Sequence, residues 1–258
     1  MTFFLKERLA LLLAAKTTIL TLVTVVFFFA LSAADVSAQR RFSKTYPASS
    51  NVKLKLSNRS GMVEVEGWNR EQVSIQAYLE TPAASIVPQI QGGVITINCV
   101  RDNMGRSDVG IVNFKIRVPY DASVDIETKI GNLSVSSVRG YLVRARIYSD
   151  GDITLTNISA GNVIAENMIG NIFYDGELAA GGTFRFSSLQ GDINLRVPFN
   201  ASFRLVATAP STRRISLGSF GDNMRSFGDG RRVIGQNGDG SAALTVTNQR
   251  GSIALYRR

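Results

Sequence analysis

Residues 131–135 read GNLSV, and this order of glycine, any residue, apolar residue, any residue returns five more times in the chain. The other runs are 61–65 (GMVEV), 151–155 (GDITL), 170–174 (GNIFY), 191–195 (GDINL) and 251–255 (GSIAL). In five of the six, a second aliphatic residue follows two positions after the first. Apolar and polar residues that alternate with a period of two indicate a β-strand with one buried face. The six runs therefore predict six strands, each entered through a glycine.

The spacing of the glycines indicates a repeat. Between Gly131 and Gly191 they are 20, 19 and 21 residues apart, and the gap of 60 residues from Gly191 to Gly251 equals three such units. A second alternating run, such as VRARI at 143–147, begins seven to nine residues before each glycine. Each unit is therefore predicted to be strand, tight turn, strand, with the apolar side chains of both strands on one side. Stacked units can bury that side, whereas a single unit cannot.

These observations predict the fold class. We expect one all-β domain over about residues 46–258, a β-helix-like solenoid of roughly 20-residue repeats, with a β-sandwich as the alternative architecture. Glycine suits the corner because it adopts positive φ, and the Asn or Asp that often follows it supports turns through side-chain to backbone hydrogen bonds. The pattern weakens between 81 and 117 and breaks at 206–241, where Gly, Asp, Arg and Ser accumulate. We expect 206–241 to be an irregular loop.

The N-terminal segment, residues 1–38, has the features of an export signal. Three cations lie among its first 16 residues, an uncharged apolar stretch follows at 17–34, and small residues at 36–38 precede Gln39. The apolar stretch also reaches the lower length limit of a membrane-spanning helix. The segment is therefore predicted to be a signal peptide or an uncleaved membrane anchor, followed by a linker at 39–45. Either outcome places the domain in the periplasm or at the cell surface, tethered to the inner membrane if the helix remains.

The charge balance restricts the partners. The chain has 29 Lys and Arg against 20 Asp and Glu, and removal of residues 1–38 leaves 26 cations and 18 anions. Such a surplus attracts anionic polysaccharide, other anionic envelope components or lipid headgroups. Because the cations are scattered, a basic surface without a dedicated partner is the alternative. Nucleic acid is not expected, since export removes it and no aromatic-interleaved basic patch is present.

The residue types also restrict the chemistry. The chain has no His and a single Cys, Cys99, which excludes His-dependent triads, His-ligated zinc, thiolate metal clusters and an intramolecular disulfide. Cys99 is predicted to be a small core residue. We expect no catalytic residue, metal or cofactor. The carboxylates that a carbohydrate-active enzyme could use are Asp125 with Glu127, Asp150 with Asp152, and Asp239. Turn chemistry alone explains the last three, because they lie beside turn glycines.

Alignment of the first strands of the units places charges of alternating sign next to one another. Asp125 and Glu127 are followed in the next unit by Arg144 and Arg146, then by Glu166, and then by Arg185. Ion pairs across adjacent strands are the structural interpretation. The functional interpretation is a ligand-binding stripe for a polyanion, formed by Arg144, Arg146, Arg185 and Arg204.

Trp68 is the remaining candidate for ligand binding. It is the single tryptophan of the chain and follows the strand that begins after Gly61. Its ring could stack on a sugar, or it could cover the open end of the apolar interior. The sequence alone leaves both roles open.

Residues 56–75, LSNRSGMVEVEGWNREQVSI, together with the Val-Pro elements at 118–119 and 197–198 and the repeated Gly-Asn/Asp-Ile steps, resemble the bacterial putative-adhesin domain family of unknown function. The likeness spans most of residues 46–258. It implies a β-helix-type fold in an exported or membrane-tethered protein and offers no catalytic residues. The predicted function is a non-enzymatic envelope or cell-surface protein that binds or scaffolds. The alternatives are a membrane-tethered envelope sensor or accessory protein and a carbohydrate-active β-helix enzyme.

Overall fold

The computed structural model describes residues 40–80, 85–107, 110–211, 214–227 and 231–258. The predicted signal peptide or anchor at 1–38 lies outside the described residues. Within them the chain is almost entirely β-structure, with one short helix, α1 (Cys99–Asp102), and a 3-10 helix at Gly218–Asn223. No helix of this described part is both long and apolar enough to cross a membrane.

The strands are numbered in chain order. The first eleven are β1 (Arg40–Pro47), β2 (Lys53–Ser60), β3 (Val63–Trp68), β4 (Gln72–Leu79), β5 (Gln89–Gln91), β6 (Val94–Asn98), β7 (Val112–Pro119), β8 (Ser123–Ile130), β9 (Leu133–Ser136), β10 (Leu142–Asp150) and β11 (Ile153–Ile158). The others are β12 (Asn162–Ile169), β13 (Ile172–Gly176), β14 (Thr183–Gln190), β15 (Ile193–Val197), β16 (Phe203–Thr208), β17 (Ile215–Ser216), β18 (Met224–Phe227), β19 (Arg232–Asn237), β20 (Ala242–Arg250) and β21 (Ile253–Arg257).

The strands form two large sheets. Sheet one has the order β1-β4-β7-β3-β9-β11-β13-β15-β21-β17, and sheet two has the order β18-β19-β16-β20-β14-β12-β10-β8-β2-β6-β5. Between residues 123 and 197 the chain alternates between the sheets, and each strand pairs in parallel with its equivalent one unit later. We call these four strand pairs, β8–β9, β10–β11, β12–β13 and β14–β15, the middle units.

The apolar interior lies between the two sheets. Every aliphatic or aromatic pair in the six glycine-led runs is at most 2% exposed, from Val63 and Val65 to Ile253 and Leu255. Residues that the sequence aligns also lie side by side, since Ala145 is opposite both Ile126 and Ala165. The predicted burial of the paired apolar residues is confirmed.

The corner glycines form a column. Gly170 has φ +127°, and a Cβ added to it would lie 2.1 Å from the carbonyl oxygen of Gly151 in the unit before it. The positive φ predicted for the corners is confirmed at Gly61, Gly131, Gly151, Gly170 and Gly191. The same close approach recurs along the column, so side chains are excluded by the neighbouring backbone as well as by φ.

The Asn and Asp residues after these glycines act differently from the prediction. Each carboxylate or amide oxygen accepts a backbone N–H from the next unit in the stack rather than from its own turn. Asp152 N donates to Asn132 Oδ1 at 2.9 Å, Asn171 N to Asp152 Oδ1 at 2.6 Å, and Asp192 N to Asn171 Oδ1 at 2.8 Å. These side chains therefore join neighbouring units, because the turn backbone of each unit lies directly over the one before.

A second polar column runs inside the corner. Its members occupy inward positions near the ends of sheet-two strands and are buried, although the alternating pattern predicts apolar residues there. Asn167 Nδ2 donates to Gly151 O, Ser188 Oγ to Gly170 O, and Asn248 Nδ2 to Gly191 O. Buried polar groups require such partners. The column therefore satisfies the corner carbonyls that the tight stacking hides from water.

The stacking order departs from the chain order at one end of the sheets. Strands β20 and β21 pair with β14 and β15, and they separate these from β16 and β17. A Cβ on Gly251 would lie 2.0 Å from Gly191 O. The 60-residue gap, although equal in length to three units, therefore does not separate Gly251 from Gly191 in the stack, because Gly251 packs directly on Gly191.

The other end shows the same kind of exchange. Strands β6 and β7 lie outside β2 and β3, which in turn border β8 and β9. Strand β4 runs antiparallel to β7, and β1 runs antiparallel to β4. Of the segment 39–45, predicted to be a linker, residues 40–45 instead form most of β1 at the edge of sheet one, and β1 pairs along the whole of β4.

Residues 206–241 also differ from the prediction of an irregular loop. Strand β19 pairs antiparallel with both β16 and β18, so the segment extends sheet two by two strands. Leu217, Phe220 and Val233 from this segment join the core, and the ring centroids of Phe220 and Phe203 are 5.5 Å apart. The segment therefore helps to cover the apolar interior at this end of the sheets.

Candidate binding surface

The outer face of sheet two is basic. The strands of this sheet contain eleven Lys or Arg residues and four Asp or Glu residues. Because side chains alternate along a strand, the charged residues between buried apolar positions face solvent. Parallel strands about 4.8 Å apart place them in rows across the sheet. Four of the predicted site residues, Arg144, Arg146, Arg185 and Arg204, belong to this face.

Two of these arginines are neutralised by carboxylates on adjacent strands. Arg144 forms a two-pronged ion pair with Asp125, with Nε 2.7 Å from Oδ1. The hydrogen bonds with Asp125 raise the pKa of the Arg144 guanidinium. Arg146 Nε lies 3.0 Å from Glu166 Oε2. The predicted ion pairs across units are confirmed for Arg144 and Arg146 but not for Arg185, and partly exposed pairs of this kind typically contribute about 0–1 kcal/mol.

The other two arginines differ from these. Arg185 and Arg204 are exposed, and neither has an ion pair with any residue that the structure describes. Arg185 lies opposite Ile164 and Thr245, and Arg204 lies opposite Ala243. No carboxylate faces them from those strand positions. The predicted stripe is thus divided into a neutralised half and a half with available positive charge.

Trp68 lies on sheet one, so the structure does not bring it together with the four arginines. Its Nε1 donates to Gln72 O at 2.8 Å. The guanidinium carbons of Arg70 and Arg117 lie 5.0 and 5.8 Å from its ring centroid. Strand β3 has β7 and β9 on either side, so Trp68 does not cover an end of the apolar interior. Its ring contacts two cations on the outer surface instead.

The carboxylates considered for catalysis have structural partners. Glu127 accepts hydrogen bonds from the Ser57 hydroxyl at 2.5 Å and from the Tyr148 hydroxyl at 2.8 Å. Asp239 accepts hydrogen bonds from Ser202 and from the backbone N–H of Ser241 within a turn. In the part of the chain that the structure describes, no group of three or more Cys, Asp or Glu is placed to hold a metal ion.

A cleft of about 550 Å³ lies at the edge of this face and was not predicted from the sequence. It forms where α1 and the turn after it pass the ends of three strands of sheet two, β2, β8 and β10. Cys99 lines the cleft and is buried, as predicted for a core residue. Burial, with a smaller contribution from Asp102, raises the pKa of the Cys99 thiol to about 12. The sequence gives little indication of this cleft, because the residues that line it are far apart along the chain.

Comparison with known proteins reveals similarity only at the level of structure. No protein-family model and no curated protein matches the chain. A putative cell adhesion protein from Clostridium sporogenes ATCC 15579 is 11% identical, with 85% of this chain and 98% of that chain covered and a TM-score of 0.49. A putative adhesin from Bacteroides fragilis NCTC 9343 is 8% identical, with 86% and 99% covered and a TM-score of 0.37. A putative lipid binding protein from Parabacteroides distasonis ATCC 8503 is 11% identical, with 85% and 98% covered and a TM-score of 0.33. Two of these three similar structures are therefore bacterial proteins named for adhesion.

Proposed function

We propose that this chain is a non-enzymatic protein of the bacterial envelope or cell surface that acts by binding or scaffolding, and that it binds an anionic polysaccharide along the outer face of sheet two. The observation that carries the proposal is the excess of cations on that face, with Arg185 and Arg204 free of ion pairs among the described residues. Polyanions associate with such surfaces through summed electrostatic attraction rather than through a deep pocket.

The architecture favours an extended ligand. We interpret the stacked middle units as a β-helix-like solenoid, whose rigid backbone holds charges at fixed intervals. Strands β14 and β16 are separated only by β20, so their backbones are about 10 Å apart. A polymer with repeated negative charges can contact both arginines at once, and it gains affinity from each additional contact.

The second candidate is a membrane-tethered envelope sensor or accessory protein. The uncharged stretch at 17–34 supports it, since this stretch reaches the length of a short membrane-spanning helix. The two possibilities share the same binding domain and differ in the fate of residues 1–38. Sequencing the N-terminus of the protein recovered from cells separates them, because a start at Gln39 means that the anchor has been removed.

Polygalacturonate, a carboxylated polysaccharide, serves as the probe for the binding proposal, with neutral dextran as the control polymer. We expect the full chain to bind polygalacturonate, and binding to weaken as salt rises from about 50 to about 300 mM. The double variant Arg185→Gln, Arg204→Gln should bind about threefold to tenfold more weakly.

The matched control is Lys115→Gln with Arg117→Gln, which removes two cations from sheet one, where they pair with Glu64 and Glu66. This control changes the net charge by the same amount as Arg185→Gln with Arg204→Gln, and it should retain most of the binding to polygalacturonate. Equal losses in both double variants would show that net charge, and not the face of sheet two, drives association. Binding to neutral dextran of equal strength would also contradict the proposal.

A further inference from the structure

The cleft beside α1 has an apolar wall that is open to solvent. Val100, Met104 and Tyr148 line it, and they are 51%, 79% and 52% exposed. Isolated apolar side chains are common on protein surfaces, but several that line one concave site indicate a place where apolar surface is covered. A volume of about 550 Å³ lies within the range of small-molecule sites.

The rim of the same cleft is basic. Arg59, Arg106 and Lys129 line it, and among the described residues that line it Glu127 is the single acidic side chain. The Glu127 carboxylate is already occupied by the hydroxyls of Ser57 and Tyr148. Arg59 Nη1 donates to the backbone carbonyl of Arg106 at 3.3 Å, which leaves its charge unneutralised by that contact. The rim therefore attracts a negatively charged group.

We propose that this cleft binds a single-chain anionic amphiphile, with its alkyl chain against Val100, Met104 and Tyr148 and its acidic headgroup at Arg59 and Lys129. Burial of the chain removes apolar surface of both partners from water. The two cations then pair with the headgroup at the mouth of the cleft, where the alkyl chain can enter while the charge remains partly solvated. Neither Arg185 nor Arg204 lines this cleft, so the site is separate from the two arginines that carry the polysaccharide proposal.

The probe is dansyl-undecanoate, a fluorescent fatty acid, added to the full chain below its micelle concentration in detergent-free buffer. We expect saturable binding to one cleft site per chain and displacement by palmitate. The double variant Val100→Ser, Met104→Ser should weaken binding about tenfold, because it removes the apolar wall. Arg59→Gln with Lys129→Gln should weaken binding of the carboxylate by a similar factor.

Two control variants test whether binding of the probe depends on the cleft. Tyr141→Ser with Phe199→Ser removes two exposed aromatic side chains that do not line the cleft, and it should leave the affinity unchanged. Arg185→Gln with Arg204→Gln should also leave it unchanged, which distinguishes this proposal from the polysaccharide proposal. All substituted side chains are exposed, and thermal unfolding of each variant checks that the fold is retained.

Three results would overturn the proposal. The first is wild-type affinity in both cleft variants. The second is displacement of the probe by hexadecyltrimethylammonium as effectively as by palmitate, since a basic rim should discriminate against a cation. The third is cleft-dependent binding that occurs only to vesicles of dioleoylphosphatidylglycerol, which would identify a membrane-docking surface instead of a site for one alkyl chain.

Discussion

The middle units and the ends of the molecule contribute to the same two sheets, but they follow the chain differently. From β8 to β15, units that are neighbours in sequence are neighbours in space. At the ends this order is exchanged, so that β2 and β3 lie inside β6 and β7, and β20 and β21 lie inside β16 and β17. The apolar alternation of the middle units recurs in β2, β3, β20 and β21, but it is lost in the short outer strands β5 and β18.

The difference shows what an end of a stacked sheet requires. Each middle unit has its backbone and its apolar side covered by two similar neighbours, whereas a terminal unit has only one. Here three of the four sheet edges end in antiparallel pairing, through β1 and β4 in sheet one and through β5 and the β18–β19 pair in sheet two, whereas β17 pairs in parallel. The outer strand β1 carries Arg41, Lys44 and Pro47, residue types that discourage further strand addition at an edge. Irregular sequence at the ends therefore serves to terminate the stack.

The largest effect should come from deletion of residues 242–258. In a stack that followed chain order, this would remove only an outer unit. Here it removes β20 and β21, with their buried Leu244, Val246 and Ile253, from between two other units, and it exposes the core residues against which these side chains pack. We expect a loss of more than about 5 kcal/mol in the free energy of unfolding. Urea denaturation measures this loss. The control is Val233→Ala in β19, which should lower the free energy of unfolding only slightly, because β19 lies near the edge of sheet two. A midpoint close to that of Val233→Ala would contradict the exchanged order.

The glycine column provides the next test, because it passes through both regions. Gly170→Ala would place Cβ 2.1 Å from Gly151 O in a middle unit, and Gly251→Ala would place it 2.0 Å from Gly191 O at the exchanged junction. We expect both to lower the free energy of unfolding by more than about 3 kcal/mol. Gly181→Ala is the control, since φ is +73° there but, apart from Gly181 and its two chain neighbours, no described residue has an atom within 4 Å of the added Cβ. It should lower stability by about 1 kcal/mol. A Gly251→Ala variant as stable as Gly181→Ala would show that the two glycines are not stacked.

The smallest effect concerns pH at the same junction. Asp192 accepts hydrogen bonds from the Ser252 N–H at 2.8 Å and the Ser252 hydroxyl at 2.7 Å, and these lower the pKa of the Asp192 carboxyl. Because the folded-state pKa lies below the unfolded value, this stabilisation is present above the unfolded pKa of about 4 and is lost as pH falls through the folded pKa. Asn171 occupies the equivalent place in a middle unit without an ionisable group.

We therefore expect Asp192→Asn to lose less stability than the wild type when pH falls from about 5 to about 3. Urea midpoints across that range measure the difference between the two proteins, which isolates Asp192 from the other carboxylates. Asn171→Ala serves as the matched control, because it breaks a ladder hydrogen bond and should lower stability equally at both pH values. Parallel pH profiles for the wild type and Asp192→Asn would contradict the assignment.

Much of the basic face follows from the alignment of the units. The pairs Arg144 with Asp125 and Arg146 with Glu166 join residues 19 and 20 positions apart, which is one repeat, so equal spacing along the chain becomes adjacency in the sheet. The same alignment places Ile164 and not Glu166 opposite Arg185, as the structure shows. Its other neighbour, Thr245, could not be predicted in this way, because β20 and not β16 lies next to its strand. The cleft could not be predicted either, since it requires α1 to lie near the ends of strands that are distant in sequence.

The sequence by itself determined the alternation of inward and outward side chains, the glycine corners and the stacking of the middle units. These features depend on strand geometry and on spacing along the chain, both of which can be read locally. The tertiary structure decided which units are neighbours at the ends, which cations lack a counter-charge and where the cleft forms. Pairing at an end depends on which strand edge remains available once the other units are in place, and no short stretch of sequence specifies that.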